Sequence, residues 1–240
     1  MGTLNVRGLN SDLKKEHLDN DLLKYKMDII CLQETKIKEG IDINLQNSRL
    51  ITFPTQKGHY GNGFIIKKNR SKEIHRVWMV DERICVLQMT TKDNKIVSII
   101  NVYGPTSVLT EENPEMLDRF YEKLEVTLKR EEKAAKMVVL AGDFNSKVGS
   151  RQKEDICVGN FSKGKRNKNG EALVSFCEAN GIFIMNSNFQ HPSRHQTTWQ
   201  GQCKEQSYTN LIHISECEAS VCLCVCLCVC LSVCVLPNSS

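Results

Sequence analysis

Apolar and polar positions follow two rhythms along this 240-residue chain, one with a two-residue period and one helical. Gly2–Val6 reads as a strand, and Asp12–Lys26 as an amphipathic helix with Leu13, Leu22 and Leu23 as its apolar contacts. A buried strand, Ile29–Gln33, comes next, then a polar loop to about Asn47. The pattern then predicts strand after strand: Leu50–Phe53, Gly63–Lys67, His75–Val80, Ile84–Met89 and Ile96–Val102. Gly61-Asn62-Gly63 and Lys92-Asp93-Asn94 are expected as turns. A charged helix over Glu115–Lys133 leads to a β run, Met137–Leu140, and the loop Gly142–Asn145. Asn169-Gly170 opens a helix to Asn180, which Gly181 caps before a strand over Ile182–Asn186. Helices mixed with strands, many of them antiparallel, predict an α/β fold of two packed sheets with helices outside.

The end of the chain breaks this grammar. Val221–Val235 is a low-complexity alternation of Val, Cys and Leu. As a metal site it lacks the histidines and C-x-x-C turns of zinc modules. As a membrane span, the uncharged stretch Ala219–Leu236 is just long enough. The third reading goes through codons: GTG, TGT and CTG encode Val, Cys and Leu, and their alternation is close to a TG-dinucleotide repeat. That reading accounts best for the strict alternation. Residues 1–216 are therefore expected as the folded domain and 217–240 as a disordered or aggregation-prone tail.

Composition adjusts this picture only slightly. A hydrophobic content of 40% and a charged content of 25% are ordinary for a globular protein. A formal net charge of +4 does not by itself argue for a nucleic-acid partner. Two local runs, Lys67–Lys72 and Lys163–Lys168, could meet a phosphate backbone or be solvated loop tips. Seven of the twelve cysteines lie between Cys217 and Cys234, and the other five are scattered singly. Scattered cysteines suit small buried hydrophobes in a reducing compartment better than a disulfide scaffold. With no signal-peptide pattern at Gly2–Val6, a nuclear or cytoplasmic location is expected.

The chemistry concentrates where apolar runs end. Leu32-Gln33-Glu34-Thr35-Lys36, Asn101-Val102-Tyr103-Gly104-Pro105 and Gly142-Asp143-Phe144-Asn145 each deliver polar groups to the mouth of a predicted strand. Asn5 closes the first run in the same way. Asn5, Glu34, Tyr103, Asp143 and Asn145 supply hard oxygen ligands for a magnesium ion and donors for a phosphate. One carboxylate suffices to anchor magnesium, which otherwise keeps waters and phosphate oxygens, so Glu34 is the candidate anchor. Asp143 can take a proton from a water or orient it, while Asn145 holds a water or a phosphate oxygen. Their spacing of two would place both on one face of a strand. Tyr103 can donate to the phosphate.

These strings resemble the endonuclease/exonuclease/phosphatase superfamily, in its apurinic-endonuclease-like branch. The resemblance is strongest to the endonuclease domain of non-LTR retrotransposons and the related craniofacial development proteins. Weaker echoes are Asn169-Gly170, the stretch from Asn186 to Phe189, and Thr197-Thr198-Trp199, so the similarity reaches about Gly201. The resemblance implies a four-layer α/β/β/α sandwich of two mixed sheets and magnesium-dependent cleavage of a DNA phosphodiester. Asn5 and Glu34 would then serve Mg2+, Tyr103 the scissile phosphate, and Asp143 and Asn145 the attacking water. Thr198 and Trp199 would lie near the DNA groove, and Lys163, Lys165 and Arg166 would face its backbone. No stable protein partner is implied, and a membrane role is not expected.

The chain departs from that family at its end. The family continues with an aspartate on the next strand and finishes with a Ser-Asp-His motif. After Asp155 this chain has no aspartate. Ser207 to His213 stand at about the first place and the repeat at the second, so the sandwich is expected to be incomplete at its C-terminus. His213, between two isoleucines, reads as an ordinary partly buried histidine. Three hypotheses follow: a working magnesium endonuclease, a catalytically dead retroelement remnant, and a membrane-tethered form of either.

Overall fold

A computed structural model describes residues 1–56 and 58–190, and the backbone of three short strands beyond them, 199–200, 206–207 and 233–235. The first sheet is built from β1 (Gly2–Asn5), β2 (Ile29–Gln33), β3 (Ile41–Asn44), β4 (Ser48–Thr52) and β5 (Asn62–Lys67), in the order β1-β2-β5-β4-β3. Only β1 and β2 are parallel in it. The second sheet holds β6 (Ile74–Asp81), β7 (Ile84–Thr90), β8 (Ile96–Tyr103), β9 (Met137–Asp143) and β10 (Ile182–Ile184). Here β8 and β9 are the parallel pair. The two-stranded pair β11 (Trp199–Gln200) and β12 (Gln206–Ser207) stands apart from both sheets. Three residues of the repeat, β13 (Val233–Val235), lie between β10 and β9.

The sheets face each other across one apolar layer. Ile29, Cys31, Ile51, Phe64 and Ile66 of the first meet Cys85, Leu87, Met89, Ile99 and Ala141 of the second. On the outer face of the first sheet, Leu18 and Leu22 of α1 (Asp12–Lys24) pack on Leu32, Leu50 and Ile65. On the outer face of the second, α3 (Glu115–Ala134) brings Phe120, Leu124 and Leu128, and α4 (Lys168–Ala179) brings Leu173, Phe176 and Cys177. The order of layers is α/β/β/α, as the sequence leads one to expect.

Several boundaries move for physical reasons. In α1, Leu22 is buried, but Leu13 is 61% and Leu23 43% exposed. At 3.6 residues per turn, the nine residues from Leu13 to Leu22 amount to about two and a half turns, so the two face opposite ways. Leu18, one turn before Leu22, takes the core position instead. The expected polar loop before Asn47 contains β3, which pairs with β4 from Ile41 opposite Thr52 to Asn44 opposite Arg49. Gly61, at φ +103°, leads straight into β5, and Asn62 and Gly63 pair with Gln33 and Leu32, so the expected turn is instead the start of a strand. A short helix not foreseen, α2 (Ser107–Glu112), follows β8, and the strand from Ile182 ends at Ile184. Cys31, Cys85, Cys157 and Cys177 are buried and form no disulfide with one another, in line with their reading as small core residues. Among the described residues no helix is long and apolar enough to cross a membrane.

Candidate active site

Two parallel strand pairs, one from each sheet, end at the same edge of the sandwich. In the first sheet Asn5 lies beside Gln33, so Asn5 and Glu34 emerge together. In the second, Tyr103 lies beside Asp143. A polar network under this edge ties the sheets to each other. Thr3 Oγ1 donates to Gln33 Oε1 at 3.0 Å, and Gln33 Nε2 donates to Asn101 Oδ1 at 2.6 Å. Asn101 Nδ2 returns to the first sheet, donating to the carbonyls of Leu32 and Gly63 at 3.0 and 2.9 Å. Gln33 and Asn101 have no exposed surface, so these bonds form in a low-dielectric layer where geometry is tightly held.

The side chains above that layer converge. Asn5 Nδ2 donates to Glu34 Oε1 at 2.7 Å and to Asp143 Oδ2 at 3.1 Å. The Tyr103 hydroxyl donates to the same Glu34 Oε1 at 2.9 Å. Lys36 Nζ pairs with the other oxygen, Oε2, at 2.9 Å. Burial pushes the Glu34 carboxyl up, but hydrogen bonds from Asn5, Lys36 and Tyr103 outweigh it and hold the group below its usual range. Glu34 is therefore ionised at neutral pH. Tyr103 is pushed the other way, first by burial and then by the negative charge of Glu34, so it remains a protonated donor. All four of Asn5, Glu34, Tyr103 and Asp143 are thus brought into one cluster.

Asn145 joins by a different route from strand alternation. Asp143 ends β9, Phe144 is buried in the core, and Asn145 sits at φ 49° in the left-handed region. Its backbone N–H donates to Asp143 Oδ1 at 3.0 Å, and its Nδ2 donates to the Gly104 carbonyl at 2.9 Å. The strand-face argument for the pair therefore fails, because the turn and not the pleat places Asn145. Asn169, buried at the start of α4, holds this turn from behind: its Nδ2 donates to the carbonyls of Pro105 and Asn145. Six non-glycine residues among those described have positive φ, and four of them (Arg7, Glu34, Lys36 and Asn145) belong to this site or bond to it. Such conformations cost roughly 1–3 kcal/mol each and persist where surrounding contacts over-determine them, which is common at functional sites.

Glycine is required twice here. A Cβ on Gly142, at φ +144°, would lie 2.0 Å from the Val102 carbonyl oxygen of the neighbouring parallel strand. A Cβ on Gly104 would lie 2.5 Å from the Phe144 carbonyl oxygen, so the two loops could not approach.

The basic loops divide. Lys67–Lys72 stands at the far end of β5, where Lys67 pairs with Asp28, and Arg70 pairs with Glu73. It is remote from the site because β5 runs antiparallel to β2. The loop after Asn145 is different. Residues 147–166 hold six basic side chains (Lys147, Arg151, Lys153, Lys163, Lys165 and Arg166) against two acids (Glu154 and Asp155). That excess equals the whole chain's +4, so the remainder is formally neutral. An open hollow of about 530 Å³ is lined by Ser150, Arg151, Gln152, Lys153, Asn160 and Ser162. Lys163 and Lys165 are exposed. Arg166 is not: its side chain is 5% exposed and closed onto Asp155, with further contact to Glu171. It pins the loop internally and is unavailable to a DNA backbone. Thr198 lies outside the described residues, as does His213, and only the backbone of Trp199 is described.

Sequence reasoning missed Lys36, Arg83 and Tyr60. Lys36 stood within the Gln-Glu-Thr-Lys string, where its charge beside a carboxylate was the available signal. Arg83 lies under the loop bearing Gly104, with its guanidinium 4.2 Å from the Tyr60 ring centre and 5.5 Å from that of Tyr103. No local pattern marked it.

Among the described residues, no three His, Cys, Asp or Glu side chains converge as a metal cluster. The donor set, two carboxylates sharing one amide, suits a hard cation that keeps waters and phosphate oxygens. Glu34 already draws in the Lys36 ammonium, as expected where negative charge concentrates.

Comparison with known proteins identifies the family and the fold. The model of the Endonuclease/Exonuclease/phosphatase family matches residues 2–209. Craniofacial development protein 2 of Tragulus javanicus is 30% identical over 204 residues, covering 83% of this chain and 34% of that protein. The chain thus spans about a third of the length of this relative. An exodeoxyribonuclease of Bacillus subtilis is 28% identical over 196 residues, covering 78% of this chain and 73% of the relative. The AP endonuclease LMAP from Leishmania major shares the fold with a TM-score of 0.62 at 16% identity, over 87% of this chain and 76% of that one. By family match and by fold, this chain belongs to the Endonuclease/Exonuclease/phosphatase family.

Proposed function

We propose that this chain is a magnesium-dependent DNA endonuclease domain of retrotransposon descent, slow as it stands. The observation that carries the reading is the convergence of Asn5, Glu34, Tyr103 and Asp143 from two sheets onto one edge, with Asn145 bonded to Asp143 beside them. Glu34, with Asn5 and Asp143 beside it, would hold Mg2+. A bound Mg2+ would supply positive charge against a phosphoryl oxygen of the scissile group. For Asn5 to offer an oxygen its amide would turn over, releasing the Arg7 N–H that Oδ1 now accepts and the Glu34 and Asp143 oxygens that Nδ2 now holds, whose charge the cation would take up instead.

The chain's own residues supply the rest. Asp143 accepts a proton from the attacking water or orients it, and Asn145, its Nδ2 committed to Gly104, keeps its amide oxygen for that water. Tyr103, held protonated, donates to a phosphate oxygen once substrate competes with Glu34 for its hydroxyl. Arg151, Lys153, Lys163 and Lys165 meet the backbone of the same strand, where each neutralised phosphate adds affinity that salt removes. The relatives named exodeoxyribonuclease and AP endonuclease support DNA as substrate, and the Gln33–Lys36 and Gly142–Asn145 strings support the retroelement descent.

A second reading, a catalytically dead remnant that binds metal or DNA weakly, is favoured by the absence of aspartate after Asp155. Losing a catalytic group of this kind costs on the order of 10²–10⁴-fold in rate. The test replaces residues 207–240 with a strand carrying Ser-Asp-His. Nicking of supercoiled DNA in Mg2+ should rise by about two orders of magnitude or more, and Glu34→Gln in that graft should abolish it. A graft that folds, binds Mg2+ and does not nick would favour the remnant.

A further inference from the structure

We propose that Arg83 is a positioning residue that sets Tyr103 and Asn145 relative to each other. The inference rests on the endonuclease reading for its purpose, but its geometry stands alone. Arg83 lies in the turn from β6 to β7. Its backbone N–H and that of Ile84 both donate to Asp81 Oδ1, at 2.8 and 2.9 Å, and Asp81 Oδ2 accepts Lys123 Nζ at 2.7 Å. The next residue back, Glu82, accepts the Gln56 N–H at 2.8 Å, joining this turn to the loop that carries Tyr60.

Arg83 then grips Tyr103 from both sides. Its carbonyl accepts the Tyr103 N–H at 2.8 Å, and its Nη1 donates to the Tyr103 carbonyl at 3.0 Å. The same Nη1 reaches the Gly104 carbonyl at 3.2 Å. That carbonyl also accepts Asn145 Nδ2, while the Gly104 N–H donates to the Asp143 carbonyl at 2.6 Å. Gly104 is thus the hub through which Arg83 acts on Asp143 and Asn145. The guanidinium stacks on the Tyr60 ring, and the rings of Tyr60 and Tyr103 are 6.2 Å apart. Its Nη2 is buried with no hydrogen-bond acceptor among the described residues, so the ring faces contribute to holding the cation. A lysine could keep the charge and bring one nitrogen to the carbonyls, but it lacks the planar, weakly hydrated group that covers the Tyr60 ring while its nitrogen stays on them.

Consequently, the phenol that faces the phosphate and the amide that faces the water move as one unit only while Arg83 is in place. Misplacement of reacting groups by about 1 Å costs on the order of 10²-fold in rate.

The test uses the full chain and its Arg83→Lys, Asn145→Ala and double variants, with melting temperatures recorded. Single-turnover nicking in Mg2+ should fall on the order of 30-fold in Arg83→Lys, with the half-saturating DNA concentration unchanged. In the Asn145→Ala background the same substitution should cost less than about threefold, because coupled residues are not additive. Equal losses in both backgrounds, or weaker DNA binding at an unchanged rate, would overturn the proposal. The second readout is independent of cleavage: the side-chain amide signals of Asn145, identified by their loss in Asn145→Ala. These should be displaced from solvent-exposed values in the parent and collapse toward them in Arg83→Lys. Tyr60→Leu, which removes the ring face under the guanidinium, should shift them partway if Arg83→Lys unfolds the chain. If no preparation nicks DNA, the endonuclease reading fails while the amide signals still decide the positioning role. Unchanged signals would overturn it.

Discussion

Asn5 and Asp143 stand 138 positions apart in the chain, and a 3.1 Å hydrogen bond joins them across the gap between the two sheets. The same nitrogen reaches Glu34 at 2.7 Å, so one amide holds two carboxylates that would otherwise repel each other. The sheets are sealed by apolar residues over most of their shared face, and this edge is where they are joined by polar groups instead.

Removing that amide should expose the tension. Asn5→Leu leaves two carboxylates without their shared donor and should lower stability by about 1–3 kcal/mol. Urea unfolding should show an earlier midpoint with an unchanged slope. An unchanged midpoint would mean that the bridge contributes nothing.

Lys36 Nζ lies 2.9 Å from Glu34 Oε2, beside the residue proposed to hold Mg2+. In Lys36→Ala the repulsion between ammonium and cation is gone, and Mg2+ should bind roughly 30-fold more tightly, since unit charges about 4 Å apart in water interact by about 1 kcal/mol and the ion carries two. Calorimetric titration measures this. Weaker binding in the variant would place the metal elsewhere.

The titration of Glu34 has a defined sign. Its folded-state value is depressed, so the stability it contributes is present above the ordinary glutamate value of about 4.3 and is lost as the pH falls through the lower folded value. Thermal unfolding from pH 7 to pH 3 should therefore fall less steeply below about pH 4.3 in Glu34→Gln than in the parent. Parallel curves would show that Glu34 is not held ionised by its neighbours.

Gly142→Ala should be among the most damaging single-methyl changes in the chain. The new Cβ would meet the Val102 carbonyl and force β8 and β9 apart where Tyr103 and Asp143 lie side by side. A loss of about 3 kcal/mol or more is expected in chemical denaturation. A loss below about 1 kcal/mol would show that the strand pair can relax.

Much of this was legible in the sequence, for identifiable reasons. Ile29–Gln33 was read with its true boundaries because a fully buried strand flanked by polar residues has a sharp edge. The site residues were legible because each follows an apolar run. What sequence hid was whatever depends on partners far along the chain. Leu13 and Leu18 are equally apolar, and only packing against Leu32 and Leu50 decides which one is core. Asn145 looked like a strand neighbour of Asp143, whereas a left-handed turn brings it there. Arg166 belongs to a basic run, but Asp155, eleven residues earlier, accepts its guanidinium. The hold of Arg83 on Tyr103 had no local signature at all.

The central claim is that this edge of the sandwich cleaves a DNA phosphodiester with Mg2+. The most direct measurement incubates supercoiled plasmid with the full chain in Mg2+ or in EDTA, and repeats it with Asp143→Ala. Slow conversion to the nicked circle is expected, dependent on Mg2+ and lost in Asp143→Ala. Nicking that survives both EDTA and Asp143→Ala, or no nicking at any protein concentration, would contradict it.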